Sequence, residues 1–372
     1  RPGSCRATRP GSCRATRRLI FPFLPQPPRR MQYTDIAHLT AEAKQGTTQG
    51  TVLAQVTRKT ERETKTGKPY LEFVLGDATG SINLKIWNNT AWYASCCAAE
   101  QGSSIAATAI WRVTDFGMEA TDLDLRPLTP EEEDTLLAGG PELRATQEAA
   151  WQTIRQLVEG LQDPRLSTLC RAFLEQFESR IRRSGAARSV HHARRGGLVE
   201  HICGVMKNAD AICRCYPKLN RDLVLAGALF HDCGKMWENA YEEHSLVMPY
   251  TEMGELLGHI PLGIELINAL WKKIYTEAKR EEWRPLSPAS EHVRLHLLHL
   301  IASHHGSMEF GSPVLPKTPE ALALHHADDL DAKMEMMRAA YTESPELAPR
   351  IFQRKPPMPS NIVSPLPAFR QD

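Results

Sequence analysis

The chain has 372 residues, of which 42% are hydrophobic and 24% charged, and a formal net charge of +1. These values exclude wholesale disorder and a fibrous repeat, and at ~100 to 200 residues per domain the length points to two folded domains. No run approaches the ~20 uncharged apolar residues of a membrane-spanning helix, and nine scattered cysteines without a CxxC pair fit free thiols in a reducing cytoplasm better than a disulfide framework.

Residues 1–16 are one octapeptide, RPGSCRAT, written twice, and a proline-rich stretch runs on to Met31. With no methionine before Met31 and no apolar periodicity, residues 1–45 read as a disordered or spurious leader and linker; an arginine-rich nucleic-acid-binding arm is the sharper alternative. Eight arginines and no acid in residues 1–30 hide a mildly acidic body, where 44 acidic residues outnumber the remaining 37 basic ones.

Residues 46–128 change to short alternating runs broken by turn signals, among them TVLAQVTRKT and PYLEFVLGDATGSINLKIW. About five strands in this pattern fit a small all-β barrel of the OB kind, which holds single-stranded nucleic acid by stacking bases on strand aromatics. Tyr70, Phe73, Trp87 and Trp111 are the stacking candidates, each with a place in the core as the plain alternative, and Lys68 closes a basic hairpin that begins at Arg58. Residues 46–127 hold eight basic and nine acidic residues, so the region is no strong polyanion trap by itself. Pro130 and the three glutamates after it read as a helix start, and residues 140–341 keep a period near 3.6, as in WQTIRQLVEGL, giving an all-α bundle. The tail, 342–372, carries seven prolines from Glu343 onward and reads as irregular.

Thirteen of the fourteen histidines follow residue 190. Five places combine His with Asp near helix ends: His201, His231-Asp232, His259, His304-His305 and Asp328. Steps of 30, 27, 45 and 23 residues between them are each long enough for a helix and its return. Residues 223–230 form an apolar helix that must be buried, yet it runs into His231 and Asp232, with Gly234 as a helix stop. Imidazole and carboxylate at such a place need strong partners, and a divalent cation is the most economical. Any one of these residues alone is ordinary packing; the ordered set is not.

Five histidines and two carboxylates exceed the needs of one ion. Two ions sharing Asp232 would use all seven, one with His201, His231 and Asp328, the other with His259, His304 and His305. Manganese, iron, cobalt, zinc and magnesium all suit such N and O donors. A water between the ions would be hydroxide at neutral pH, placed to attack phosphorus in line.

The ordered residues resemble the HD-domain phosphohydrolase superfamily. The stretches HHARRGGLVEHI, YPKLNRDLVLAGALFHDCGK, GELLGHIPLG, SHHGSMEFGSP and PKTPEALALHHADDLDAKM, with the barrel in front, are similar to the YhaM family of 3′ to 5′ exoribonucleases over residues 46–340. The resemblance implies metal-dependent removal of nucleotides from a 3′ end, commonly with manganese, and admits a homo-oligomer; single-stranded RNA is the expected substrate, with single-stranded DNA as the open alternative. Cys233 departs from the aliphatic residue expected there.

Other residues take roles around this set. Lys235 is placed to meet a nonbridging phosphate oxygen, and His191 and His192 to contact phosphate or protonate the leaving 3′-oxygen, or else to play a structural part. Arg194 and Arg195, with neighbouring arginines, offer a positive path for RNA, and Phe310 lines the base or ribose pocket. Asp331, three residues beyond Asp328 on one helix, shares its face. Two other readings compete: hydrolysis of nucleotides or cyclic dinucleotides on the same scaffold, and nucleic-acid binding without catalysis around a structural metal.

Overall fold

A computed structural model describes residues 33–187, 192, 194–356 and 358–367. The octapeptide repeat, Arg188 and His191 lie outside the described residues.

The first elements are β1 (Tyr33–Thr34), α1 (Ile36–Gln45), β2 (Thr48–Glu63), β3 (Pro69–Gly76), β4 (Ser81–Trp87), α2 (Tyr93–Ala98), β5 (Ser104–Thr114) and β6 (Gly117–Pro127). The sheet runs β4-β3-β2-β5-β6, each neighbouring pair antiparallel, with β1 parallel to the start of β2. Strict alternation turns Ile82, Leu84 and Ile86 of β4 inward. The sheet is open: among the described residues no ladder joins its edge strands β4 and β6, so what the sequence reads as a barrel is here an antiparallel sheet.

The expectation that residues up to 45 are leader and linker is also revised. Ile36, Leu39 and Ala43 of α1 are buried in the core of the sheet. The turn residue Asp77 explains the docking, because one carboxylate oxygen accepts from the amides of Thr79 and Gly80 while the other accepts from Ile36 at 2.7 Å. Phe73 and Trp111 belong to this core and are 0% exposed, so they are corrected from stacking candidates to core residues.

The helical elements are α3 (Pro130–Ala138), α4 (Pro141–Glu159), α5 (Pro164–Arg183), α6 (Gly197–Cys215), α7 (Arg221–Phe230), α8 (Lys235–Glu238), α9 (Glu252–Leu257), α10 (His259–Ile274), α11 (Glu277–Trp283), α12 (Ser290–Ser303) and α13 (Pro319–Glu343). Their starts follow capping chemistry: Thr129 and Glu132 form a capping box on α3, and Asp163, Asn220 and Thr318 accept from first-turn amides of α5, α7 and α13. Helices α4 to α7, α10, α12 and α13 contribute to one apolar core that is separate from that of the sheet. Gln55 links the sheet to the helical region, its side chain accepting from the Leu246 amide at 2.8 Å and donating to the His244 carbonyl at 3.0 Å. The tail is more ordered than its prolines suggest, since β7 (Glu346–Ala348), β8 (Ile351–Phe352) and β9 (Ile362–Val363) form a small antiparallel sheet.

Candidate metal centre

Helix α7 is apolar on every face, and every residue from Leu223 to Phe230 is buried, so its C-terminal end opens inside the protein. His231 caps it and Asp232 follows, at 0% and 1% exposure. Gly234 corrects the sequence reading of a helix stop. Its φ of −65° is ordinary for any residue, but a Cβ there would lie 1.9 Å from the His259 carbonyl oxygen. Its missing side chain lets the start of α10 lie against the turn, which brings His259 to Asp232. Helix α6 supplies His201 from its second turn, the end of α12 supplies His304 and His305, and the middle of α13 supplies Asp328.

The seven residues come together around Asp232, whose two oxygens face different sets. Oδ2 lies 3.3 Å from His201 Nε2 and 3.4 Å from His231 Nε2. Oδ1 lies 3.5 Å from His259 Nε2 and 3.6 Å from His304 Nε2. Asp328 Oδ1 joins the first set at 3.1 Å from His201 and 3.6 Å from His231. His305 joins the second, its ligand atom within 4.8 Å of those of Asp232, His259 and His304.

The far nitrogen of each ring has an acceptor. His231 Nδ1 meets the Ala228 carbonyl at 2.8 Å, His304 Nδ1 the Ile301 carbonyl at 2.8 Å and His305 Nδ1 the Phe310 carbonyl at 2.5 Å. His259 Nδ1 meets Glu238 at 3.2 Å, and His201 Nδ1 meets Asp331 at 2.8 Å. Carbonyls and carboxylates offer lone pairs alone, so each Nδ1 carries a proton and each Nε2 is left facing the centre, the pattern of metal-ligating histidine; His201 Nε2, which faces Asp232 and Asp328, turns a lone pair inward when a cation takes the place of the proton held there. His201 Nε2 and His231 Nε2 stand 3.1 Å apart, an approach that needs a proton or a cation shared between them. Asp232 Oδ1, His259 Nε2 and His304 Nε2 are buried without a hydrogen-bond partner, a costly state that a divalent cation relieves. The donor set fits such an ion.

The titration of these groups agrees. Burial pushes the Asp232 carboxyl up, but Lys235, 2.6 Å away, and His231 hold it well below the usual range. Burial pushes His304 down, and burial with His304 as neighbour takes His305 to about 4, so both present neutral rings at neutral pH. At His201 burial works against the charged form, yet Asp232, Asp328 and Asp331 keep the ring protonated well above its ordinary value. These carboxylates demand positive charge, from an added proton or from a metal.

The HD domain family model matches residues 198–333, the segment that carries all seven residues, and this domain implies dependence on a divalent metal. The chain is 32% identical over 299 residues to the 3′-5′ exoribonuclease YhaM of Bacillus subtilis, covering 77% of this chain and 86% of that one. The chain belongs to the YhaM family of 3′-5′ exoribonucleases. The YhaM proteins of Oceanobacillus iheyensis, 29% identical over 77% of this chain and 84% of that one, and of a Geobacillus strain, 30% identical over 74% and 79%, are further relatives. Among solved structures, asparaginyl-tRNA synthetase of Pyrococcus horikoshii aligns with 39% of this chain and 34% of its own at 14% identity and a TM-score of 0.21, which carries no argument.

The other sequence candidates of this YhaM-family chain fall in varied places. Lys235 is at the centre, its ammonium on Asp232 Oδ2. His192 is 8% exposed, with its ring on Asp331 rather than at the open side of the site. Arg194 pairs with Glu200 and Glu335, and Arg195 donates to the carbonyls of Glu242, Glu243 and Ser245. Both guanidinium groups are thus spent on the protein, and the expectation that they meet RNA phosphates is corrected. Phe310 is 71% exposed beside His305, to which its carbonyl is bonded. Tyr70 and Trp87 pair on the sheet with ring centroids 5.1 Å apart, Trp87 at 43% exposure, and Lys68 is exposed in its hairpin. Glu238, which orients His259, and the carbonyls that orient His231 and His304 were not foreseen. A carbonyl carries no residue identity, and Glu238 has no spacing rule tying it to His259. No helix among the described residues is long and apolar enough to cross a membrane, and the cysteines described are free.

Proposed function

We propose that this chain is a two-metal phosphodiesterase that shortens single-stranded RNA from its 3′ end. The observation that carries the reading is the split of Asp232, one oxygen toward His201 and His231, the other toward His259 and His304. One ion would be held by His201, His231, Asp232 and Asp328, the other by Asp232, His259, His304 and His305, with manganese as the first candidate. Bound ions supply Lewis acidity, which acidifies water and offsets phosphate charge.

The chain's own residues do the rest. The five Nδ1 bonds fix each ring so that no ligand has to reorient during turnover. Lys235 stays cationic because Asp232 outweighs its burial, and it brings a positive charge to the side of the site where a nonbridging phosphate oxygen is proposed to lie. The exposed Phe310 ring is proposed to stack on the terminal base.

The sheet offers a path for the rest of the strand. A groove of about 1100 Å³ has residues of both β4 and β6 in its lining, together with Lys44, Arg112 and Phe116, and Lys85 and Trp87 of β4 face it. Cations interleaved with exposed aromatics suit a single strand with its bases unstacked. The strand order, with β2 between β3 and β5, accords with an OB-like fold for residues 46–128 beside a helical domain at 140–341.

The test is 5′-labelled single-stranded RNA incubated with protein stripped of metal and reloaded with Mn²⁺. A ladder shortening from the 3′ end, absent without metal and with Asp232→Ala, supports the proposal. Intact RNA alongside hydrolysis of nucleotides or cyclic dinucleotides would replace it with a small-molecule phosphohydrolase.

A further inference from the structure

Helix α13 carries two carboxylates toward a single imidazole. Asp328 Oδ1 lies 3.1 Å from His201 Nε2, while Asp331 Oδ2 lies 2.8 Å from His201 Nδ1. Asp328 and Asp331 are three residues apart and so share one face of the helix, and His201 is gripped between them at both ring nitrogens. The same Asp331 oxygen lies 3.3 Å from His192 Nε2.

Space for that carboxylate comes from Gly204, one turn beyond His201 on α6. A Cβ built on Gly204 would stand 1.8 Å from Asp331 Oδ1 and 2.7 Å from its Cγ. No left-handed backbone explains this glycine, which lies inside a helix, where alanine is the favoured residue. What it provides is a slot. Asp331 is only 16% exposed there.

We propose that Asp331 is a positioning residue for the metal centre, seated by the Gly204 slot, and that it fixes His201 with its proton on Nδ1 and its lone pair on Nε2. The inference rests on the proposed metal reading. Without Asp331 the His201 ring is free to carry its proton on Nε2, which blocks coordination, or to turn out of line with His231 and Asp328. His192 meets the same Asp331 oxygen, so its part is to keep this carboxylate in register. Loss of such a partner costs ~10- to 100-fold in metal affinity.

The test uses the full chain with ¹⁵N-labelled histidine, titrated with diamagnetic Zn²⁺ and followed by NMR, with Mn²⁺ affinity measured by calorimetry. In the unchanged protein His201 should coordinate through Nε2 and show a slowly exchanging Nδ1–H. Asp331→Ala and Gly204→Ala should both lose that proton signal and bind Mn²⁺ ~10- to 100-fold more weakly. Asp331→Asn, which keeps the size and one acceptor oxygen, should retain the signal and most of the affinity. Gly204→Ala favours the helix, so weaker binding by a protein that still melts cooperatively assigns the effect to the displaced carboxylate. The proposal is overturned if folded Asp331→Ala or Gly204→Ala keeps the His201 Nδ1–H and binds Mn²⁺ within twofold of the unchanged protein. If no histidine responds to Zn²⁺ in the unchanged protein, it is the metal reading that fails.

Discussion

Gly234→Ala tests how closely the two halves of the metal centre depend on backbone packing. An added Cβ would sit 1.9 Å from the His259 carbonyl oxygen and 2.7 Å from the Gly263 amide nitrogen, where ordinary contact begins at 3.4 Å. The obstruction is backbone, not a side chain able to swing aside, so the first turn of α10 must retreat by about 1.5 Å, the gap between 1.9 and 3.4 Å. Overpacking of this kind costs ~1 to 3 kcal/mol of stability. A shift of ~1 Å at a reacting group costs ~100-fold in rate. His259 rides on that turn, whereas His201, His231 and Asp328 stand on α6, α7 and α13. The expected outcome is selective: metal titration by calorimetry shows one set of sites near its original affinity and one weakened, and RNA hydrolysis falls ~100-fold at saturating Mn²⁺. Equal affinities at both sites, with an unchanged melt, would refute the argument that close approach of α10 builds the second site.

Other outcomes follow from the same geometry. Arg165 is 1% exposed and pairs with Asp163 at 2.6 Å, so Asp163→Ala leaves a buried charge unpaired and should cost ~3 to 5 kcal/mol in urea unfolding. Burial pushes the Asp163 carboxyl up, but Arg165 brings it below its ordinary value. The folded group therefore titrates below the unfolded one, its contribution is complete above about pH 4, and it is lost as pH falls through the folded value; Asp163→Ala should flatten that acid limb of the stability profile. Trp87→Ala should raise KM for RNA ~5- to 100-fold, the worth of a stacked base, without slowing hydrolysis of a small aryl phosphodiester. Phe73→Ala, by contrast, should destabilise by ~3 to 5 kcal/mol as a core cavity; a purely KM effect from Phe73→Ala would return that ring to the binding surface. Stripping the metal should lower the melting temperature, and Mn²⁺ should restore it in a concentration-dependent way; an unchanged melt would show that no ion binds the folded state.

The ligand candidates were legible because their chemistry is costly to bury. A helix as apolar as Leu223–Phe230 has to lie inside, so the His231 and Asp232 that end it have to find partners there, and the remaining histidines arrive at helix-length steps. The parts that escaped are those whose information lies in contact rather than residue type. Gly234 after an apolar helix reads as a stop signal, yet the glycine serves the backbone of α10, which starts 25 residues later. Arg194 and Arg195 have the composition of an anion site, but Glu200, Glu335 and three carbonyls reach them first. In the sheet, period two marked the strands well, but inward and outward aromatics look alike in sequence, so Phe73 and Trp87 could not be told apart. The docking of α1 turned on one oxygen of Asp77, a bond across 41 residues.

The most direct measurement is the number of metal ions per chain, by elemental analysis of Mn²⁺-loaded protein, in the unchanged chain and in single variants. The account predicts two ions in the unchanged chain, one in His305→Ala, one in Asp328→Ala, and neither held tightly in Asp232→Ala, the residue both sites share. A single ion in the unchanged chain, or two retained by Asp232→Ala, would contradict it.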